Sequence, residues 1–312
     1  YSVIVTNTNN CVAKDTIVVS IQGFAPTANF TSNIGCVNQI VSFTDLSIPP
    51  SGNTISDYEW SFGDTASPTN TSTAANPSHT YTNTGTYTVN LTVTTNSNCE
   101  QSITKIINVY PVPTAAFAIG TSCQNDSTAF LNQSTGITGY SITNSYWNFG
   151  DASPSATTSI TSPKHVFTNA TIYTVKLLVT NTAGCKDSVY KPVTVNNQVK
   201  ANFTNGPACL NNSTLFQSTS IIPPSGSATY SWAFPGSTAT VANPIKTFTN
   251  SGVYNVTLIV DGNNGCISSI TKLLNVYLPP IASFSIPSFC AKDTGSVINL
   301  SNPQSGIISS YN

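Results

Sequence analysis

Gly85-Thr86-Tyr87-Thr88-Val89-Asn90-Leu91-Thr92-Val93 alternates strictly from Tyr87 onward between apolar and polar side chains. Period two, with aromatic and β-branched residues on one side, predicts a strand that buries one face. The phrase returns as Ile172-Tyr173-Thr174-Val175-Lys176-Leu177-Leu178-Val179 and as Gly252-Val253-Tyr254-Asn255-Val256-Thr257-Leu258-Ile259-Val260. Upstream of each copy stands an aromatic strand ending in a tight turn: Trp60-Ser61-Phe62-Gly63-Asp64, Trp147-Asn148-Phe149-Gly150-Asp151 and Trp232-Ala233-Phe234-Pro235-Gly236. From tryptophan to tryptophan the steps are 147 − 60 = 87 and 232 − 147 = 85. A period that long is one small domain per repeat.

Working outward, Val41-Ser42-Phe43, Tyr58-Glu59-Trp60 and Ile103 to Val109 add further short alternating runs, with turn residues between them and no helical period. Seven or so strands per repeat predict an all-β chain of tandem immunoglobulin-like sandwiches in a linear array. Trp60, Trp147 and Trp232 are expected to pin the cores, and Tyr87, Tyr173 and Tyr254 to form the tyrosine corners of such sandwiches. Whole repeats are expected at residues 25–110, 113–196 and 199–277. Tyr1-Ser2-Val3-Ile4-Val5 reads as another Tyr-led strand, and Ile281-Ala282-Ser283-Phe284 matches Thr114-Ala115-Ala116-Phe117. Residues 1–22 are thus expected to be the tail of a preceding repeat and 279–312 the head of a following one. Half a sandwich cannot bury its face, so a longer array is expected; the absence of methionine agrees.

Trp-x-Phe-Gly-Asp, then Asn76-Pro77-Ser78-His79-Thr80-Tyr81, then Gly-x-Tyr-x-Val-x-Leu-x-Val closely resembles the PKD domain (named for polycystic kidney disease). The first repeat fits best. The second has Ala170-Thr171-Ile172 where glycine is usual, and the third has Phe234-Pro235-Gly236 in place of Phe-Gly-Asp. The resemblance implies an extracellular module serving as spacer or adhesive in surface proteins, or as an accessory domain of secreted enzymes. Giant repeat proteins of gliding and surface-attached bacteria, exported by type IX secretion, look similar.

Charged residues make up only 7% of the chain and the net charge is −1, against a usual charged share of about 25%. Electrostatic capture of nucleic acid is therefore not supported, and no apolar run reaches the ~18 residues of a membrane span. Thr, Ser and Asn carry the polarity, as in extracellular β-rich stalks.

The copies test one another. His79 and His165 are the only histidines, and Lys246 takes their place in the third repeat; Asp64 and Asp151 give way to Gly236. Residues so exchanged are expected to be structural, at a strand start and a turn. No Gly-x-Ser-x-Gly, His-Glu-x-x-His or phosphate loop occurs, so no catalytic residue and no cofactor are expected. Calcium could be held only through scattered loop aspartates. Asp15-Thr16, Asp64-Thr65, Asp126-Ser127 and Asp187-Ser188 resemble the acceptor motif of a bacterial periplasmic O-glycosylation system, which makes Thr16, Thr65, Ser127 and Ser188 candidates.

Eight cysteines fall into two classes. Cys36, Cys123, Cys209 and Cys290 lie between the first two strands of their repeats. Cys11, Cys99, Cys185 and Cys266 follow the Tyr-led strand. So regular a set predicts disulfides and an oxidising compartment. In a sandwich the two classes sit at opposite ends, ~26 Å apart over an eight-residue strand, beyond the ~7 Å Cα limit of a disulfide. Stacked repeats would instead bring Cys36 to Cys185 and Cys123 to Cys266. Cys209 and Cys290 would then bond later repeats, and Cys11 and Cys99 earlier ones. Bonds within a repeat (Cys36–Cys99) and between neighbours (Cys99–Cys123) remain open at this point.

Three functions follow. The first is a structural stalk or filament segment stiffened by disulfides and partnered by its own neighbouring repeats, with lateral assembly into a homo-oligomeric fibre as an extension. The second is an array binding cell-surface glycans or proteins, for which Tyr140 and Tyr146, read as a variable loop, are the exposed aromatic candidates. The third is a spacer of a secreted hydrolase.

Overall fold

The computed structural model describes residues 1–18, 24–154, 156–158, 162–223, 226–292 and 294–310. Residues 19–22 of the expected leading tail and Tyr311-Asn312 at the end of the trailing head lie outside them. The described residues are all β, with no helix.

In the first repeat, Phe30–Ser32, Ile40–Asp45 and Ser78–Thr80 form one sheet. The second sheet runs, in spatial order, Gly35–Cys36, Glu100–Tyr110, Gly85–Thr95, Ile55–Ser61 and Thr71–Ser72. All its pairings are antiparallel except one: Gly35 and Cys36 run parallel to Val109 and Tyr110. The chain switches sheets between its first two short strands, which sets Cys36 beside the end of the last strand. The other repeats copy this plan. Their four-stranded sheets hold Ile142–Asn148, Ile172–Asn181 and Lys186–Thr194, and Thr229–Phe234, Gly252–Asp261 and Ile267–Val276. Single parallel bridges, Cys123 with Asn196 and Cys209 with Tyr277, stand where the first repeat has a strand pair.

Alternation explains the cores. Val89, Leu91 and Val93 are fully buried, as are Val175, Leu177, Val179 and Val256, Leu258, Val260. Beside them in the same sheet, each tryptophan is fully buried and packs against two phenylalanine rings of the opposite sheet. Trp60 lies 5.1 Å from Phe30 and 5.6 Å from Phe43; Trp147 lies 5.1 Å from Phe117 and 5.7 Å from Phe130; Trp232 lies 5.0 Å from Phe203 and 5.8 Å from Phe216. The indole nitrogens of Trp60 and Trp232 donate to the backbone, to Ala74 O and Val241 O, both at 3.0 Å. Tyr87, Tyr173 and Tyr254 sit half-buried at the rim. Their hydroxyls donate to the carbonyl four residues back, Asn83, Asn169 and Asn250, at 2.9, 3.2 and 2.9 Å. That is the tyrosine-corner geometry, and it fixes where the long strand begins.

The outward positions of the first repeat's long hairpin form a ladder of hydroxyls and amides. Thr86 pairs with Asn108, Asn90 with Thr104 and Thr92 with Ser102, at 3.2, 3.0 and 2.9 Å. These cross-strand bonds solvate the face without charge.

At the start of the chain, Ser2–Thr6 pairs antiparallel with Val12–Thr16 as an exposed hairpin whose turn carries Cys11. Near the far end, Phe284–Ser285 pairs with Ile298–Asn299.

Candidate functional site

The chemistry that distinguishes this chain gathers where one repeat meets the next. The parallel pairing of Cys36 with Tyr110 places Cys36 at the end of the first repeat from which the chain leaves. Cys185 lies in the turn after the Tyr-led strand of the second repeat, at the end facing back. The two are disulfide-bonded with Cα atoms 5.8 Å apart, and Cys123 is bonded to Cys266 in the same way with Cα atoms 5.7 Å apart. Both bonds cross a joint. All four cysteines are buried: Cys185 and Cys266 are fully inaccessible, and Cys36 and Cys123 are 5% and 6% exposed.

Polar contacts surround each bond. At the first joint, Gln39 Nε2 donates across to Lys186 O at 2.7 Å, and Asn181 Nδ2 donates to Pro111 O of the linker at 2.9 Å. Asn181 Oδ1 also accepts from Ala183 N and Cys185 N, so one buried amide shapes the turn and holds the linker. Tyr110 meets Tyr140 edge-on at 5.6 Å, and Pro113 is buried beneath. At the second joint, Asn264 Oδ1 accepts from Cys266 N at 3.0 Å while its Nδ2 donates to Asn197 O at 2.9 Å. Asn196 Nδ2 returns a bond to Asn264 O at 2.7 Å. The second linker has no proline, and buried Val195 and Val199 anchor it.

The turn demands a left-handed residue just before each cysteine. Asn10, Asn98, Gly184 and Gly265 have φ of 60°, 56°, 87° and 85°. Asparagine tolerates this region better than most residues and glycine adopts it freely. Glycine stands at the two turns covered by a neighbour. A Cβ on Gly184 would fall 2.9 Å from Ile34 Cδ1, and one on Gly265 would fall 2.8 Å from Thr121 Cγ2, each across the joint. Gly184→Val is expected to cost about 1–3 kcal/mol through the strained backbone. It should lower the fraction of Cys36–Cys185 linked peptide after refolding. Gly184→Asn, with the backbone that Asn98 adopts, should lose less.

The same turn lies open where no described repeat covers it. Cys99 is half-exposed and Cys11 exposed, and neither is disulfide-bonded; Cys209, at the outgoing end of the third repeat, is half-exposed and also unbonded. Cys290 is exposed.

Within the repeats, two features escaped the sequence reading. The histidines are bonded to the turn aspartates: His79 Nε2 lies 3.1 Å from Asp64 Oδ2, and His165 Nε2 lies 2.6 Å from Asp151 Oδ2. Each imidazole also stacks on the strand phenylalanine, Phe62 at 4.7 Å and Phe149 at 4.0 Å. In the third repeat both members are gone. Pro235-Gly236 closes the hairpin directly, and Lys246 Nζ donates to Ser237 Oγ at 2.8 Å instead. Burial raises the Asp151 carboxyl, but hydrogen bonds from Ser153 and His165 outweigh it and hold the group below its ordinary value of 3.8. Tyr81 is pushed upward, first by burial and then by the Asp64 carboxylate.

A lowered carboxylate stabilises the fold above its unfolded value, and that contribution is lost as pH falls through the folded one. The second repeat should therefore lose stability on acidification below about pH 3.8. Asp151→Asn should flatten that acid limb of the thermal-melt profile. An unchanged profile would deny the carboxylate this role.

The second feature is a lysine six residues past the turn cysteine in each whole repeat. Lys105, Lys191 and Lys272 reach from the last strand to the carbonyls of Phe30, Phe117 and Phe203 in the opposite sheet. Each ammonium also lies over the ring of that phenylalanine, at 5.0, 5.1 and 4.9 Å. The alkyl stem packs along the sandwich and the head ties its two sheets together.

Other candidates fall as follows. Thr16, Thr65, Ser127 and Ser188 are all exposed. Tyr146 is not in a loop: it pairs with Leu178 and Thr157 inside a strand and is half-buried. Tyr140 is half-buried against Tyr110 at the joint. The two tyrosines therefore make no exposed aromatic platform. Among the described residues, no three His, Cys, Asp or Glu converge as a metal cluster, and no helix is long and apolar enough to cross a membrane.

The family model described as PKD domain matches residues 24–111, 108–196 and 199–277. Among solved structures, the PKD1 domain of the Vibrio cholerae metalloprotease PrtV is 32% identical, covering 28% of this chain and 98% of that one, with a TM-score of 0.25. The PKD1 domain of Vibrio anguillarum Epp is 26% identical over 28% of this chain and 95% of that one, with a TM-score of 0.24. An I-band fragment of titin aligns over 81% of this chain and 98% of its own at 11% identity and a TM-score of 0.34. No curated protein matches the chain.

Proposed function

Because this chain belongs to the PKD domain family, in three consecutive copies, we propose that it is a stiff segment of an extracellular stalk or filament. Such a segment sets a distance between a cell surface and whatever the distal end touches, in adhesion, gliding or cell–cell contact. A giant surface protein of the type IX secretion kind is the parent that suits this role. The observation that carries the reading is the placement of both disulfides across joints rather than within sandwiches. A bond inside a sandwich stabilises one core; a bond across a joint removes a hinge. Buried disulfides also accord with an oxidising, extracellular setting.

Cys11, Cys99 and Cys209 occupy the positions that bond in the two joints, and repeats flanking this segment are the proposed partners of Cys11 and Cys209. Cys99 has the same role toward a repeat stacked before its own. Lateral association into a fibre is a further part of the proposal. The outward ladder of the first repeat carries hydroxyls and amides rather than the lysines that commonly block edge pairing. A spacer within a secreted hydrolase would use the same rod, and PKD sandwiches are generally non-catalytic modules.

Small-angle scattering of the oxidised chain tests the rod. Each repeat is ~40 Å long, from an eleven-residue strand at ~3.4 Å per residue. Three repeats in line should give a maximum dimension of about 120 Å with a narrow distribution of inter-repeat angles. A broad distribution from a sample with both bonds intact would sink the stalk reading.

A further inference from the structure

The two disulfides interleave. Cys36 is bonded to Cys185, Cys123 lies between them in sequence, and its partner Cys266 lies beyond both. Three stretches of backbone therefore run in parallel between one bond and the other: Cys36 to Cys123, Cys123 to Cys185, and Cys185 to Cys266. The middle stretch is the shortest of the three, because its two cysteines are the closest in sequence.

We infer that this interleaving makes the chain a mechanical cable, in which the middle repeat cannot unfold under tension unless parts of both neighbours unfold with it. The path of the force gives the reason. Tension entering from the N-terminal side runs along the first strand of the first repeat to Cys36 and crosses to Cys185. It leaves along the last strand of the third repeat, from Cys266. Between those points all three stretches must lengthen together.

The first stretch leaves Cys36, passes through the body of the first repeat and returns beside Cys36 at Tyr110. From there it runs through the linker to Cys123, already extended. It can lengthen only by opening the first sandwich. The second stretch is the body of the middle sandwich. The third runs extended along the last strand of the middle repeat and then through the body of the third, so it can lengthen only by opening that one. Three sandwiches that would yield one after another in a simple string of beads must here yield side by side. Each then carries only a share of the load. The stretch from Cys123 to Cys185 sets the limit of extension.

This property belongs to the chain itself and holds whether it serves a stalk or a spacer. It can therefore fail while the rod shape stands.

Single-molecule force spectroscopy of the full chain, held by non-cysteine handles at both ends, tests it. Peptide mapping of the same sample would verify both bonds. At ~3.6 Å per residue, the span from Cys36 to Cys266 can reach about 220 Å when both bonds hold, and about 830 Å after reduction. Reduction should thus release about 600 Å more contour. The single-bond variants discriminate further. In Cys123→Ser with Cys266→Ser the limit passes to the longer stretch from Cys185 to Cys266. In Cys36→Ser with Cys185→Ser it passes to the stretch from Cys36 to Cys123, longer again. Both variants should yield at lower force than the doubly bonded chain, because fewer sandwiches then share the load. Stepwise release of single repeats, at the same force and length in oxidised and reduced chains, would overturn the inference.

Discussion

Serine at both Cys36 and Cys123 is expected to turn the rod into three hinged sandwiches and to lower its thermal midpoint by on the order of 10 °C. The bonds span sequence separations of 149 and 143. Loops of that size constrain the unfolded chain by roughly 5 kcal/mol at the entropic ceiling, and about 2–4 kcal/mol is usual. The shape change should be the clearer effect. What remains at the first joint without the bond is Gln39 to Lys186, Asn181 to Pro111 and the Tyr110–Tyr140 contact. Neutral hydrogen bonds of this kind are worth about 1 kcal/mol each, too little to fix an angle between domains. Calorimetry and scattering on the same variant separate the two effects. An unchanged angular distribution would mean that the linkers alone set the geometry.

Trp147→Ala is expected to cost about 3–5 kcal/mol, the usual range for emptying an aromatic site in a core. Trp147 is fully buried and touches Phe117, Phe130 and Phe149, so the cavity would be walled by rigid rings that cannot collapse into it. Such a loss removes a large part of the roughly 5–15 kcal/mol that holds a domain together. Chemical denaturation should show the middle repeat melting first, with its neighbours little changed. Trp147→Phe should cost distinctly less. A single cooperative shift of all three repeats would show that the staples couple their folding as well as their extension.

The sandwich was legible because its signals are local and repeated. Alternation about Tyr87, Tyr173 and Tyr254 and the Trp-x-Phe strands mark two neighbouring strands of the larger sheet in each repeat. The ends at which the cysteines lie follow once the immunoglobulin-like topology is taken as given, since that topology sets the direction of each strand. The His–Asp bond was less visible, because Asp64 and His79 meet only through the long loop between them. Its trace was nonetheless present: the third copy lacks both members at once, which joint reading of the pair would have caught. The lysines that follow the turn cysteine of each whole repeat were equally regular, but their partners are backbone carbonyls, and a carbonyl leaves no mark in a sequence. Tyr146 was misplaced because Ile142-Thr143-Asn144-Ser145 is too polar to read as a strand. A strand bulge between Ile142 and Asn144 also breaks its alternation. The inward-facing Ser145 is satisfied by Asn132 Nδ2 at 3.0 Å, which lets a polar residue occupy a core position.

Non-reducing peptide mapping of the native protein tests the stapled joint most directly. Peptides joining Cys36 to Cys185 and Cys123 to Cys266 are the predicted result. Cys36 joined to Cys99, or Cys123 joined to Cys185, would place the bonds inside single repeats, leave every joint a hinge, and contradict the account.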